Sequence, residues 1–73
     1  MSGHRIVLHL DRLLAERGVS LVELSRRTGI SAVNLSAIKN QHAKAIRFST
    51  LDAICAALDC GVGELIEFRA AAD

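Results

Sequence analysis

At 73 residues the chain has room for one small domain, able to bury only about 60% of its extended-chain surface, so its stability is modest and self-association would add to it. Its 51% apolar content comes from Leu, Ile, Val and Ala, with two phenylalanines and no Trp or Tyr; a separate catalytic domain is excluded, and so few stacking rings leave duplex as the nucleic-acid partner. The formal net charge of +1 conceals an uneven placement: residues 1–25 balance, residues 26–47 carry Arg26, Arg27, Lys39, Lys44 and Arg47 with no acid, and residues 48–73 set one base, Arg69, against Asp52, Asp59, Glu64, Glu67 and Asp73. A block without a carboxylate suits a surface that approaches phosphates, and it equally suits a solvated basic face.

The first apolar run, "IVLHL", is too short for a secretory core and is interrupted by His9, and no stretch approaches membrane-spanning length. "RIVLHL" reads as an extended start, after which Asp11 opens a helix with Leu10, Leu13 and Leu14 on one side and Gly18 stops it. Ser20 with Glu23 three residues on forms a capping box, so a second helix is predicted from about Leu21 to Thr28, ended by Gly29 in a left-handed conformation. Ser31 caps a third helix, with Leu35 and Ile38 inward, that runs to Asn40. "QHAKAIR" is a polar, basic loop without a turn glycine or proline. Ser49 is predicted to cap a fourth helix, where Leu51, Ile54, Cys55 and Leu58 make a buried stripe. "DCGVGELIEFR" follows as a turn, a short helical turn around Val62 and Leu65, and an extended piece alternating Ile66 and Phe68 with Glu67 and Arg69. Phe48 and Phe68 read as core. The two extended ends are expected to pair as a small two-stranded ribbon, with a frayed "AAAD" tail beyond.

Cys55 and Cys60, at i, i+5, lack the paired spacing and partner histidines of a zinc site and read as reduced structural thiols of a cytoplasmic protein. His4, His9 and His42 are scattered and read as surface or half-buried side chains rather than ligands. No cofactor is expected. No nucleophile, base and acid are placed together by any motif, and no phosphate-cradling glycine loop occurs, so an enzyme is not expected.

Helix, glycine turn and capped helix is the geometry of a helix-turn-helix, whose second helix is presented to the major groove. Counted from Leu21, the unit wants an apolar residue at position four, a small one at five, a turn glycine at nine, and apolar residues at ten, fifteen and eighteen; these are Leu24, Ser25, Gly29, Ile30, Leu35 and Ile38. The small residue lets the helices approach, the glycine supplies φ > 0, and the aliphatic residues set the crossing angle. Ser25 and Thr28 depart from the usual pattern by adding hydroxyls. A helical hairpin of purely structural purpose fits the same spacing.

On these residues the chain resembles the lambda Cro/cI-type (XRE) helix-turn-helix regulators, especially short stand-alone members: "LDRLLAERGVSLVELSRRTGIS" matches their first two helices and "RFSTLDAICAALDCGVGELIEF" their fourth helix and closing segment, a likeness covering about residues 5–69. The resemblance implies an all-α, five-helix domain occupying the whole chain, sequence-specific binding of double-stranded DNA, usually as a homodimer on an inverted repeat, and transcriptional control of the repressor type.

At 100° per residue, with Leu35 and Ile38 inward, the third helix turns Val33, Ser36, Ala37 and Asn40 outward, flanked by Ala32, Asn34 and Lys39. By resemblance Ser31, Ala32, Val33 and Ala37 match base-facing positions. The strip lacks the Gln and Arg that read bases bidentately, so Ala32, Val33 and Ala37 are expected to meet thymine methyls while Ser31, Asn34 or Ser36 supply hydrogen bonds. Ser20, Arg26, Arg27, Lys39, Asn40, Lys44 and Arg47 are the candidate phosphate contacts. The same bland, partly apolar strip fits a rival reading, a protein-binding module such as an antitoxin or antiactivator.

Overall fold

Leu10, Leu13 and Leu14 recur at helical spacing along α1 (Leu10–Arg17), and all three are buried. The computed structural model describes residues 5–70; His4 and positions 71–73 of the tail lie outside the described residues. Within them, β1 (Ile6–Leu8) and α1 are followed by α2 (Leu21–Thr28), α3 (Ala32–Lys39), α4 (Phe48–Leu58), α5 (Val62–Leu65) and β2 (Ile66–Phe68). Leu24 of α2, Leu35 and Ile38 of α3, Ile54 and Leu58 of α4 and Leu65 of α5 close over the α1 leucines, with Leu8 of β1 at the margin. Each such side chain contributes about 1.5–3 kcal/mol by leaving water, and the core is aliphatic throughout.

The expected ribbon forms. β1 and β2 are antiparallel, with Ile6 opposite Phe68, Val7 opposite Glu67 and Leu8 opposite Ile66. The Arg69 N–H donates to the Arg5 carbonyl at 2.8 Å and the His9 N–H to Leu65 at 2.8 Å, which clamps both ends of the pairing. His9, half-buried, also meets Glu67 at 2.6 Å across the strands. His42 is exposed.

Four expectations are corrected. Phe48 is 88% exposed and Phe68 65%, so neither belongs to the core: aliphatic residues already fill it, and both rings lie at element ends, beyond the reach of the bundle. α4 is capped two residues earlier than expected: Arg47 holds the N-cap position with extended backbone and no side-chain bond, and Ser49 lies inside the first turn. α1 starts at Leu10 behind His9 rather than at Asp11. Only half of the capping box at α2 forms, since Ser20 Oγ accepts the Glu23 N–H at 3.0 Å while the Glu23 carboxylate turns away to Arg26 and Arg27. A reciprocal Glu-to-cap bond occurs instead at α5, where the Gly61 N–H donates to Glu64 Oε1 at 2.9 Å.

The loop without a turn glycine uses Gln41, whose backbone sits at φ 65°. Its amide replaces a third strand. Oε1 accepts the Leu8 N–H at 2.9 Å and Nε2 donates to the Leu8 carbonyl at 2.6 Å, satisfying groups that β2 does not reach. The end of α3 is thereby tied to the ribbon. Gln41→Ala keeps the same backbone cost and removes both bonds, so a loss of about 1–3 kcal/mol is expected, read as a lower urea midpoint with unchanged m. An unchanged midpoint would show that the amide is dispensable.

α4 ends without glycine too. Asp59 takes the left-handed conformation at φ 51°, the Cys60 N–H bonds back to the Cys55 carbonyl at 3.0 Å, and the Arg17 guanidinium covers the carbonyls of Leu58 and Asp59 at 3.0 and 3.2 Å. This cap joins α1 to the α4–α5 turn.

Candidate nucleic-acid interface

α3 owes its orientation to its two buried anchors, Leu35 and Ile38, and to the turn before it. Gly29 adopts φ 75°, where a side chain would be strained even though the space beside it is open. The two hydroxyls that depart from the expected pattern both bind this turn. Ser25 Oγ donates to the Ile30 carbonyl at 2.6 Å; Thr28 Oγ1 donates to the Leu24 carbonyl at 2.8 Å and accepts the Ile30 N–H at 3.2 Å. A turn of few residues is thus held by three side-chain bonds, each typically worth about 1 kcal/mol net.

With α3 so fixed, Ser31, Ala32, Val33 and Asn34 lie exposed at its N-terminal end, Val33 at 79%. Ser31 Oγ accepts the Asn34 N–H at 3.1 Å, so it serves the helix as cap. Ser36 and Ala37 are half-buried, and Ser36 Oγ accepts from the Asn40 side chain at 3.2 Å. Asn34 and Ala37 border a hollow of about 380 Å³ whose opposite wall is Ala43, Ala45, Ile46, Arg47 and Thr50. The loop after α3 therefore folds back beside the reading strip and places Arg47 next to it. Thr50, one turn into α4, is a hydroxyl on this hollow that no sequence motif marked; its i+3 spacing from Arg47 is the only signal that pointed there.

The cations are not equivalent. Glu23 receives Arg26 Nε at 3.0 Å and Arg27 Nε at 2.8 Å, and these two partners hold its carboxyl at about 2, well below its ordinary 4.5. Whatever the pair adds to stability is present above pH 4.5 and is lost only as the pH falls toward 2. The sequence count of an acid-free block missed this, because Glu23 stands one helical turn before the block begins. Lys39 lies 3.8 Å from Asp11 and shares a separate hollow with Ser20 on the α1–α2 side. Lys44 borders the ribbon side of the loop. Among the described residues, Lys44 and Arg47 make no ion pair, and Arg47 alone of the five cations borders the hollow beside Asn34 and Ala37.

Cys55 and Cys60 are half-buried and unbridged, and burial together with the neighbouring Cys55 thiol pushes Cys60 up to about 11. It stays protonated at neutral pH, as a packing side chain does. No group of His, Cys, Asp and Glu able to hold a metal occurs among the described residues, and none of their helices is long and apolar enough to cross a membrane.

Comparison with known proteins agrees with this geometry. A model of the Cro/C1-type HTH DNA-binding domain matches residues 9–71. The chain is also similar to YozG of Bacillus subtilis (strain 168), described as an uncharacterized HTH-type transcriptional regulator, at 52% identity over 68 residues, covering 93% of this chain and 81% of that protein. No solved structure matches. The buried anchors of α3, the left-handed Gly29 and the match across nearly the whole chain place this protein in the Cro/C1-type helix-turn-helix family of DNA-binding transcriptional regulators.

Proposed function

We propose that the protein is a sequence-specific duplex-DNA-binding regulator of the repressor type, which acts as a homodimer and reads the major groove with the N-terminal half of α3. The observation that carries this reading is the exposed strip Ala32–Val33–Asn34, presented by buried Leu35 and Ile38 and bordered on one side by the hollow that Arg47 lines, a cation with no ion pair among the described residues. Ala32, Val33 and Ala37 offer only apolar contacts, suited to thymine methyls; Asn34 is the amide at the N-terminal end of the strip, able to pair with an adenine edge. Base discrimination then rests on few groups, and DNA shape supplies part of the specificity. Ser20, Arg26, Arg27, Lys39, Asn40, Lys44 and Arg47 are the phosphate-facing set, with Arg47 foremost.

Selection of bound sequences from a random duplex pool tests the reading. An enriched inverted repeat is expected, with base preference relaxed at one position each by Val33→Ala and Asn34→Ala. Unchanged preference in both variants would remove α3 from the readout. Glu23→Gln is expected to tighten binding to any duplex several-fold, since phosphates no longer compete with a carboxylate for Arg26 and Arg27; a filter-binding titration with unrelated sequences measures it.

A second reading is favoured by one observation: Val33, at 79% exposed, leads a strip with no guanidinium or glutamine of its own. Such a strip suits docking on a protein, and a selection experiment that returns no motif would support it.

A further inference from the structure

Cys55 and Cys60 sit on the two sides of the cap that ends α4. Asp59 turns the chain left-handed at φ 51° and ψ 53°, and the Cys60 N–H returns to the Cys55 carbonyl at 3.0 Å. The bond lengths on either side of that contact keep the two α-carbons within about 7 Å, the span a disulfide crosses. The side chains meet as well, since the two thiols are hydrogen-bond partners. In caps of this kind the two positions ordinarily share a hydrophobic contact, so sulfur on both sides puts a reactive pair where packing needs only bulk. The rest of the cap does not depend on the sulfurs. Arg17 reaches from α1 to the carbonyls of Leu58 and Asp59 at 3.0 and 3.2 Å and lies 3.6 Å from Glu64 of α5, so the turn is braced in either state of the thiols. Access is unequal: Cys55 borders the open hollow lined by Phe48, Leu51 and Val62, whereas Cys60 lies outside its lining.

From this arrangement we propose that Cys55 and Cys60 form a reversible thiol–disulfide site that takes a low-molecular-weight disulfide, RSSR, as its oxidant. Cys55 attacks first, from the hollow: its sulfur bonds to one sulfur of RSSR, the RS–SR bond breaks, and the Cys55 proton leaves on the first RSH. Cys60 then attacks the Cys55 sulfur, the bond to SR breaks, and the Cys60 proton leaves on the second RSH. Two electrons pass from the protein to RSSR, and excess RSH runs both steps backwards. Burial and its neighbour hold Cys60 protonated at neutral pH, which suits the second role, where the mixed disulfide is already beside it and proximity offsets weak nucleophilicity. The closed bridge would join the last turn of α4 to the turn that leads into α5. Neither thiol lies on α3 or on the loop after it, so the site stands or falls independently of the DNA reading.

Glutathione mixtures test it. The full chain is equilibrated with reduced and oxidised glutathione, quenched in acid and weighed intact after alkylation. The expected product is a single chain lighter by about two mass units, with no free thiol and no retained glutathione, restored by excess reduced glutathione. Because the cap holds the pair together, the closure constant of the folded protein is expected to exceed that in about 8 M urea at least about tenfold, and the bridged protein to melt about 5 °C or more above the reduced one. Cys60→Ser is expected to keep a stable glutathione adduct on Cys55, and Cys55→Ser to take up glutathione on Cys60 at least about fivefold more slowly, each variant being shown folded by circular dichroism. The wild-type closure constants decide the matter even where a variant unfolds. Equal constants in the folded and unfolded chain, bridges between chains instead of within one, or Cys60 modified first would each overturn the site. Thiols that stay free at every glutathione ratio would overturn it too, and leave the two cysteines as packing groups only.

Discussion

Leu35→Ala is expected to cost about 3–5 kcal/mol, whereas Val33→Ala, two residues earlier on the same helix, is expected to stay within about 0.5 kcal/mol of the wild type. Leu35 is fully buried in the core that α3 shares with α1 and α2, and removing its branched end leaves a void the small bundle cannot collapse around. Val33 is 79% exposed, and exchange for alanine even favours the helix slightly. A chain of this length has roughly 4–11 kcal/mol of total stability, so the first substitution removes a large part of it and lowers the thermal midpoint by about 15 °C or more. Thermal and urea denaturation of the two variants side by side measure the contrast. Equal effects would mean that α3 is rotated from the orientation described, and the reading strip would be lost with it.

The salt dependence of duplex binding is expected to separate two electrostatic arrangements. If all five cations of residues 26–47 meet phosphates in both subunits, the slope of log K against log salt is about −9, and affinity falls roughly 10⁵-fold between 50 and 200 mM. Arg26, Arg27 and Lys39 are each engaged by a carboxylate in the free protein, however, whereas Lys44 and Arg47 have none among the described residues. If those three stay with Glu23 and Asp11, four phosphate contacts per dimer remain and the slope is about −3.6. Arg47→Ala then reduces the slope by about 2 in either case, one contact per subunit. A slope near zero would remove the phosphate-facing set altogether.

Features that depend on neighbours in sequence were legible without coordinates. Ser20, Gly29 and Ser31 act within four residues of their own positions, so the boundaries of α2 and α3 could be read directly. The spacing of Leu24, Ile30, Leu35 and Ile38 likewise carried the packing of α2 on α3. What escaped depends on distant partners. Gln41 was unremarkable in its loop because its role is set by Leu8, far away along the chain. Ser49 seemed the better cap than Arg47, yet the loop packs so that the helix starts at Phe48, and Ser49 is carried into the first turn. Phe48 and Phe68 were assigned to the core from the stretches in which they lie, and the leucines had already filled it. For the candidate site, the strip on α3 followed from helical phase; the unequal standing of the five cations did not, because a charge count carries no information on which carboxylate lies one turn behind.

The pairing of Ile6–Leu8 with Ile66–Phe68 joins the first described element to the last. On the ribosome, β1 therefore waits without its mate until residues 66–68 have been made, while α1 to α4 gather through contacts of shorter range. Completion of the sheet is the late event of biogenesis. A message cut short before Ile66 would yield a product whose opening strand lacks its mate and keeps only the Gln41 amide and the packing of Leu8, a natural target for cellular proteolysis.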